Sequence, residues 1–244
     1  MTSTVAIQAS QRTAARVAGF ALLLAIVIVV AANYSVSFRL IVPGDAEATA
    51  RNVLANETLF RINVACNLVY LMTVGTLLSA LYVILQPVNR AVALAAAVCR
   101  LVFALMWALA SLNVLGAMRL LGDAIYLPVF RADQLHTLAM LHLASGTDDY
   151  YVGLPFWGLA STLCSWLFFK SQYVPRLLAA YGVVASAWCV ICAFAFIVYP
   201  RFDKLVGASW FDMPLVIFET ALGFWLLFRG IPLSRLSRIG QAGD

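Results

Sequence analysis

The sequence predicts an all-α, polytopic membrane protein: a bundle of six transmembrane helices with two short interfacial helices on its outer face. The composition supports this class, because 64% of the 244 residues are hydrophobic and only 11% are charged. A soluble domain is about half apolar and about a quarter charged. The apolar residues also gather into six runs, each close to the roughly 20 residues that a helix needs to cross a bilayer. We therefore predict a single membrane domain over residues 1–244.

Prolines mark the edges of the predicted spans, as expected for a residue that disrupts the middle of a helix. Pro155 and Pro214 are expected in first turns, where no intrahelical N–H is lost. The first span could be a cleaved signal peptide, but its apolar stretch is longer than an ordinary signal core and a good cleavage site is missing. We interpret it as a retained helix. The spans cover residues 16–35, 60–85, 91–117, 153–170, 176–199 and 212–229.

The basic residues predict the orientation, since short cytoplasmic segments carry an excess of Lys and Arg. With the N-terminus inside, the inner segments hold eight basic residues against one acidic residue, Asp244. The outer segments hold seven basic residues against nine acidic ones. We therefore predict that both termini are cytoplasmic. The net charge of +5 does not indicate a nucleic-acid partner, because the basic residues lie at helix ends and not in one cluster.

Two outer segments have the pattern of short amphipathic helices. Residues 44–56 place Asp45 and Glu47 at the positive N-terminal end of a helix, with apolar residues along one side. Residues 132–145 have a similar apolar side. Such helices usually lie in the membrane interface. We interpret both as braces on the membrane surface, and a lid over an outward-facing cavity is the alternative.

One arginine lies in the middle of the third predicted span. Arg100 is about 13 Å into the membrane when measured from Ala91 at the rise of an α-helix. Facing lipid, it would cost between about 3 and more than 10 kcal/mol, so we expect it to face the bundle and to have a partner. Glu219 in span six lies about 15 Å deep, measured back from Arg229. Because the two depths coincide, we predict a buried Arg100–Glu219 salt bridge.

Span two adds polar side chains near this pair. Asn63, Asn67 and Tyr70, at positions i, i+4 and i+7, share one helix face. Asparagine amides can satisfy guanidinium donors that one carboxylate leaves free. We therefore predict a ligand-binding set formed by these three residues with Arg100 and Glu219. The alternative is a plain interhelical clamp, because a one-to-one ion pair leaves no net charge for substrate chemistry.

The sequence favours no cofactor, metal or catalytic site. Cys189 and Cys192 form a CxxC pair in span five, but a quinone-linked thiol oxidoreductase needs a second pair in an extracytoplasmic loop. We interpret both as small buried residues. No predicted span contains a histidine, which excludes a bis-histidine haem. His142 with Asp148 and Asp149 is the candidate zinc cluster, and a solvated loop is the better interpretation.

Several motifs follow one another in a specific order: PGDA after span one, FR at the start of span two, a PVNR turn, CRL in span three, YYVG, and KSQYVPR. This order resembles the domain of unknown function 4386 family of bacterial integral membrane proteins, from the first span to Gly230. The resemblance implies a protein of the bacterial inner membrane and brings no general activity. Family members have a histidine shortly before YxxG, where Gly146 stands here, so it assigns no role to His142. The matching positions are Pro43, Gly44, Asp45, Arg61, Pro87, Arg100, Gly153, Gly158, Lys170, Ser171, Pro175, Arg176 and Glu219.

The expected function is non-enzymatic: a protein that binds or transports a small or amphipathic molecule through an outward-facing polar cavity between spans two, three and six. An intramembrane enzyme acting on a lipid or quinone is one alternative, and a structural or accessory membrane subunit is another. No internal repeat or broken helix of the transporter kind is visible in the sequence. A sealed core would favour the structural subunit, and a cavity beside Arg100 would favour the ligand-binding protein.

Overall fold

The structure is a computed structural model that describes residues 2–32, 36, 38–122, 129–199, 201–202, 206 and 210–232. This part of the chain is all-α, as predicted. A π-helical turn, Trp225–Arg229, continues the last helix. The helices are Thr2–Ala32 (α1), Phe38–Leu40 (α2), Ala46–Ala55 (α3), Glu57–Leu85 (α4), Arg90–Leu121 (α5), Ala132–Ser171 (α6), Arg176–Val198 (α7) and Met213–Phe224 (α8).

Five of these helices are long and apolar enough to cross a membrane: α1 from Ala9 onward, α4, α5, α6 and α7. This agrees with the prediction of a multi-pass membrane protein. The region of the sixth predicted span, residues 212–229, is occupied by α8 and the π-helical turn. These have 12 and 5 residues, so this segment is shorter than the other five.

The long helices form a closed ring in chain order. Each of α1, α4, α5, α6 and α7 packs against the next, α7 packs against α8, and α8 returns to α1. The closing contact depends on glycine, because a Cβ atom at Gly19 would lie 2.5 Å from the backbone nitrogen of Leu227 and 2.7 Å from the carbonyl oxygen of Gly223. Small residues allow membrane helices to approach this closely. Side chains that point inward from any of the six helices therefore meet inside one ring.

The predicted outer helix at 132–145 and the predicted fourth span at 153–170 form one continuous helix, α6, of 40 residues. Its length is about 60 Å, twice the roughly 30 Å thickness of the hydrocarbon core. The second short interfacial helix is thus not a separate element in the structure. The expectation that Pro155 occupies a first turn was wrong, since this residue lies inside α6.

A neighbouring helix explains why α6 continues. Helix α5 also runs past its predicted end at residue 117 and reaches Leu121. Ala139 and Leu143 of α6 pack in one cluster with Ala117 near the end of α5, and Asn113 of α5 donates a hydrogen bond to Asp149 of α6. The polar stretch around Gly146 therefore has a partner that keeps it helical.

The first predicted outer helix, at residues 44–56, is present as α3. The Asp45 side chain caps it by accepting a hydrogen bond from the backbone N–H of Ala48 over 2.8 Å. Thr49, Ala50 and Val53 are buried along one side, which matches the amphipathic pattern. Its location in a membrane interface stays a prediction.

Candidate functional site

Arg100 and Glu219 form a buried salt bridge inside the ring, as predicted. Arg100 Nη2 donates to Glu219 Oε1 over 2.8 Å, and each residue is 6% exposed. Arg100 comes from α5 and Glu219 from α8, and two helices separate these two in either direction around the ring. The pair therefore crosses the bundle interior. A charge-assisted hydrogen bond of this kind offsets part of the cost of burying both charges.

Two side chains of α6 complete the environment of the carboxylate. Ser161 Oγ accepts a hydrogen bond from Arg100 Nη2 and donates one to Glu219 Oε1, both over 2.8 Å. Trp157 Nε1 donates to the same oxygen over 3.1 Å. The sequence analysis missed both residues. Their spacing of four was the available signal, since it places a hydroxyl and an indole N–H on one helix face.

The guanidinium of Arg100 is not saturated by its protein partners. Its Nη2 makes the bonds to Ser161 and Glu219, whereas the buried Nε has no partner among the described residues. Arg100 also lines a narrow cleft with about 10 Å³ of space, which holds about one water molecule. Leu85 and Ala93 line the same cleft, so it lies toward the turn between α4 and α5. In the predicted orientation this turn is cytoplasmic, so the cleft would lie on the side opposite the expected outward-facing cavity.

The predicted polar face of α4 is buried, but Asn67 contacts a residue other than Arg100, the partner considered in the sequence analysis. Asn67 Oδ1 accepts a hydrogen bond from Trp107 Nε1 over 3.2 Å. The ring of Tyr70 lies 5.1 Å from the ring of Trp107. Asn63 Oδ1 is buried and has no hydrogen-bond partner in the described part of the chain. Arg100 therefore bonds to Glu219, whereas Asn67 bonds to Trp107 and not to Arg100.

Aromatic rings fill the interior beside the ion pair. Phe103 stacks on Trp157, with ring centroids 5.7 Å apart and planes at 18°. Trp107 contacts Phe103 at 6.0 Å and Tyr150 at 5.5 Å. These residues combine a large apolar surface with, in Trp and Tyr, one polar atom. The layer separates the ion pair from the end of the bundle where α6 begins.

A second polar cluster lies between α5 and α6. His142 Nδ1 is 3.0 Å from Asn113 Oδ1, and Asn113 Nδ2 donates to Asp149 Oδ2 over 2.8 Å. Asn113 thus bridges the imidazole of His142 and the carboxyl group of Asp149 through the two ends of its amide. The solvated-loop interpretation was wrong, because His142 and Asp149 lie on α6 and are bridged by Asn113, which the sequence analysis missed.

The described residues contain no group of three His, Cys, Asp or Glu side chains that could hold a metal ion. Cys189 and Cys192 are fully buried on α7 and are free thiols. A buried cysteine packs as a small apolar residue, which agrees with the interpretation of the CxxC pair as packing.

The chain is similar to one protein family over nearly its whole length. The family model described as Domain of unknown function (DUF4386) matches residues 17–230. No curated protein and no solved structure matches the chain. The matched range begins within α1 and ends directly after the π-helical turn, so it includes the helices that carry both Arg100 and Glu219. The chain therefore belongs to the DUF4386 family.

Proposed function

We propose that the chain forms one membrane domain that crosses the bacterial inner membrane six times, with both termini in the cytoplasm. Helix α8 and its π-helical turn have 12 and 5 residues. Their combined length of about 25 Å is close to the roughly 30 Å hydrocarbon core. They also pack between α1 and α7 as a full member of the ring. The excess of basic residues in the predicted inner segments supports the orientation.

Within this domain, we propose that the protein binds or transports a small or amphipathic molecule at the Arg100–Glu219 site. The observation that supports this is the buried Nε of Arg100, which has no partner in the described structure, on a residue that also lines a narrow cleft. A guanidinium has five N–H donors, and a buried donor without a partner costs about 1–3 kcal/mol. An acceptor oxygen supplied by a ligand would remove that cost. Asn63, Asn67 and Tyr70 are the proposed further contacts, because they are buried on the facing side of α4.

The charge of the site favours a neutral polar group on that ligand. Arg100 and Glu219 cancel each other, so an anion that binds the guanidinium must displace the carboxylate or bring a second negative charge close to it. A carbonyl or ester oxygen accepts from Nε and leaves the pair intact. The ligand class that fits is therefore amphipathic, with a neutral oxygen-bearing head and an apolar body. Because the cleft holds about one water molecule, α4 and α5 must move apart for it to enter.

A structural or accessory subunit is the second candidate, and the same pair supports it. The salt bridge connects helices on opposite sides of the ring, Ser161 and Trp157 reinforce it, and the neighbouring space is narrow. In this interpretation the pair locks the bundle, and one bound water satisfies Nε.

Arg100→Lys separates the two candidates. Lysine keeps the charge opposite Glu219 but presents a single nitrogen, so it removes the donors offered to a ligand. The wild type, R100K and the surface control R61Q are purified in a mild detergent and analysed by native mass spectrometry for copurified small molecules. Arg61 is an exposed partner of Glu57, which makes R61Q a matched loss of one arginine.

We expect the wild type and R61Q to carry the same amphipathic molecule and R100K to carry at least tenfold less, about the contribution of one charged hydrogen bond. Thermal unfolding of R100K in the same detergent verifies that it is folded. Equal ligand content in a folded R100K, or no ligand in any sample, would contradict the proposal and favour the structural subunit.

A further inference from the structure

A groove lies between α1 and α4 at the end of the ring where α1 begins. Its volume is about 390 Å³, within the range of small-molecule sites. Gly19 of α1 approaches the backbone of Leu227, so the groove is level with the π-helical turn that ends α8. It is a separate space from the cleft beside Arg100, with which it shares no lining residue. Its walls include Arg16, Phe20, Leu24, Thr73, Thr76 and Leu227.

The groove has a cation at one end. The Arg16 side chain is exposed and pairs with no acidic residue in the described part of the chain. Arg12, one turn earlier on the same face, is also exposed. The first acidic residue of the sequence is Asp45, so α1 itself contains no carboxylate that could neutralise either arginine.

The rest of the groove is mostly apolar and extends into the depth of the membrane; its two threonines, Thr73 and Thr76, donate hydrogen bonds from their hydroxyls to backbone carbonyl groups of α4. The 22 residues from Val17 to Phe38 carry no charge, which places Arg16 at the boundary between headgroups and hydrocarbon. Phe20 and Leu24 follow Arg16 at steps of four residues, so they line the same face. Leu24 is about 12 Å further along the axis. A molecule lying in this groove would thus meet a guanidinium first and apolar walls below it.

We propose that this groove binds one anionic phospholipid, with its phosphate at Arg16 and an acyl chain along Phe20 and Leu24. An arginine guanidinium presents paired donors that match a phosphate. Basic pockets between transmembrane helices on the cytoplasmic side recognise anionic headgroups. The charge of Arg16, which has no acidic partner among the described residues, selects an anionic lipid over a zwitterionic one. The order of charge and apolar wall follows the order of headgroup and chain. This site is independent of the ligand proposed at Arg100.

The test uses the full chain in nanodiscs that contain equal amounts of phosphatidylglycerol and phosphatidylcholine with matched acyl chains. Native mass spectrometry after release counts the lipids of each class that stay bound. R16Q removes the cation, and R90Q is its control, because Arg90 is exposed at the start of α5 and does not line the groove. T76F places a ring in the groove at an exposed position, and S79F is its control one turn along the same exposed face.

We expect the wild type, R90Q and S79F to retain phosphatidylglycerol in preference to phosphatidylcholine. R16Q should lose that preference by about tenfold, the contribution of one charge-assisted hydrogen bond, and T76F should retain less of both lipids. A preference in R16Q equal to that in R90Q would overturn the assignment of the headgroup. Equal lipid retention by T76F and S79F would overturn the assignment of the groove. If inorganic phosphate stabilises the wild type as much as phosphatidylglycerol does, the site binds a free anion and the proposal fails.

Discussion

At the scale of single residues, the oxygen Oε1 of Glu219 accepts three hydrogen bonds, from Arg100, Ser161 and Trp157. Arg100 is the one charged donor of the three, because the hydroxyl of Ser161 and the indole N–H of Trp157 are neutral. Without Arg100 the carboxyl group keeps the bonds from Ser161 and Trp157, whereas without Glu219 the guanidinium, which is always charged, keeps only its bond to Ser161 among the described residues. The two partners are therefore unequal, although they form one bond.

This inequality leads to the first prediction. E219A should lose about 3–5 kcal/mol of stability, R100A less than that, and the double variant less than the sum of the two. Thermal unfolding in detergent measures all three. The exposed pair Arg61–Glu57 is the control, because its removal should change stability by at most about 1 kcal/mol. Additive effects of R100A and E219A would contradict a coupled pair.

The second prediction concerns Ser161, which bridges the two charges. S161A should destabilise the protein by about 1–3 kcal/mol, because it leaves charged groups in the interior with one hydrogen bond fewer each. Ser165, one turn further on α6, is the matched control, since its buried hydroxyl has no partner in the described structure. S165A should be neutral or stabilising. If the two variants unfold at the same temperature, Ser161 does not contribute through its bridge.

Depth along the helices was sufficient to pair Arg100 with Glu219, because a charge in hydrocarbon requires a partner and few candidates exist. The same reasoning could not select Ser161. Ser165 lies on the same helix and has the same chemistry, yet only Ser161 faces the pair. An uncharged hydroxyl is not costly enough to require a partner, so only the rotation of α6 in the bundle distinguishes these serines.

At the scale of elements, the contact between α1 and α8 depends on the absence of a side chain at Gly19. The third prediction is that G19A destabilises the protein by about 1–3 kcal/mol, the usual effect of overpacking, because its methyl group would meet backbone atoms of Leu227 and Gly223. Gly75 on α4 is the control, since a Cβ there has no neighbour within 4 Å. G75A should be neutral or stabilising by up to about 1 kcal/mol. Thermal unfolding of both variants gives the comparison.

The extent of α6 shows where an element could not be predicted from local sequence. Gly146 and the two aspartates after it are residues that commonly end a helix, and Pro155 is a residue that commonly begins one. The helix continues because α5 supplies a surface and a hydrogen bond from Asn113 to Asp149. Asn113 is 36 residues from Asp149 in the chain, so this contact could not be predicted from the sequence around Gly146. By contrast, α3 was predictable, because its cap and its buried side lie within one short segment.

At the scale of the whole molecule, the six-span topology leads to the fourth prediction. A reporter enzyme that is active only outside the cytoplasm should be silent when fused after Gly240. The same reporter fused after Arg131, between α5 and α6, should be active, and a fusion after Asn89 should be silent. Activity at Gly240 together with silence at Asn89 would mean that α8 does not cross the membrane.

Closure of the ring by its last helix also sets an order in time. Arg100 and Glu219 are separated by 119 residues, which a ribosome adds in about 6–24 s at typical rates of synthesis. During that interval α5 has been synthesised but Glu219 has not. The guanidinium of Arg100 therefore has no counter-charge, and its insertion into the membrane is unfavourable. A chain that stops before Glu219 never leaves this state. We therefore expect that a C-terminal truncation does more than remove the final helix: it also impairs the assembly of the earlier helices.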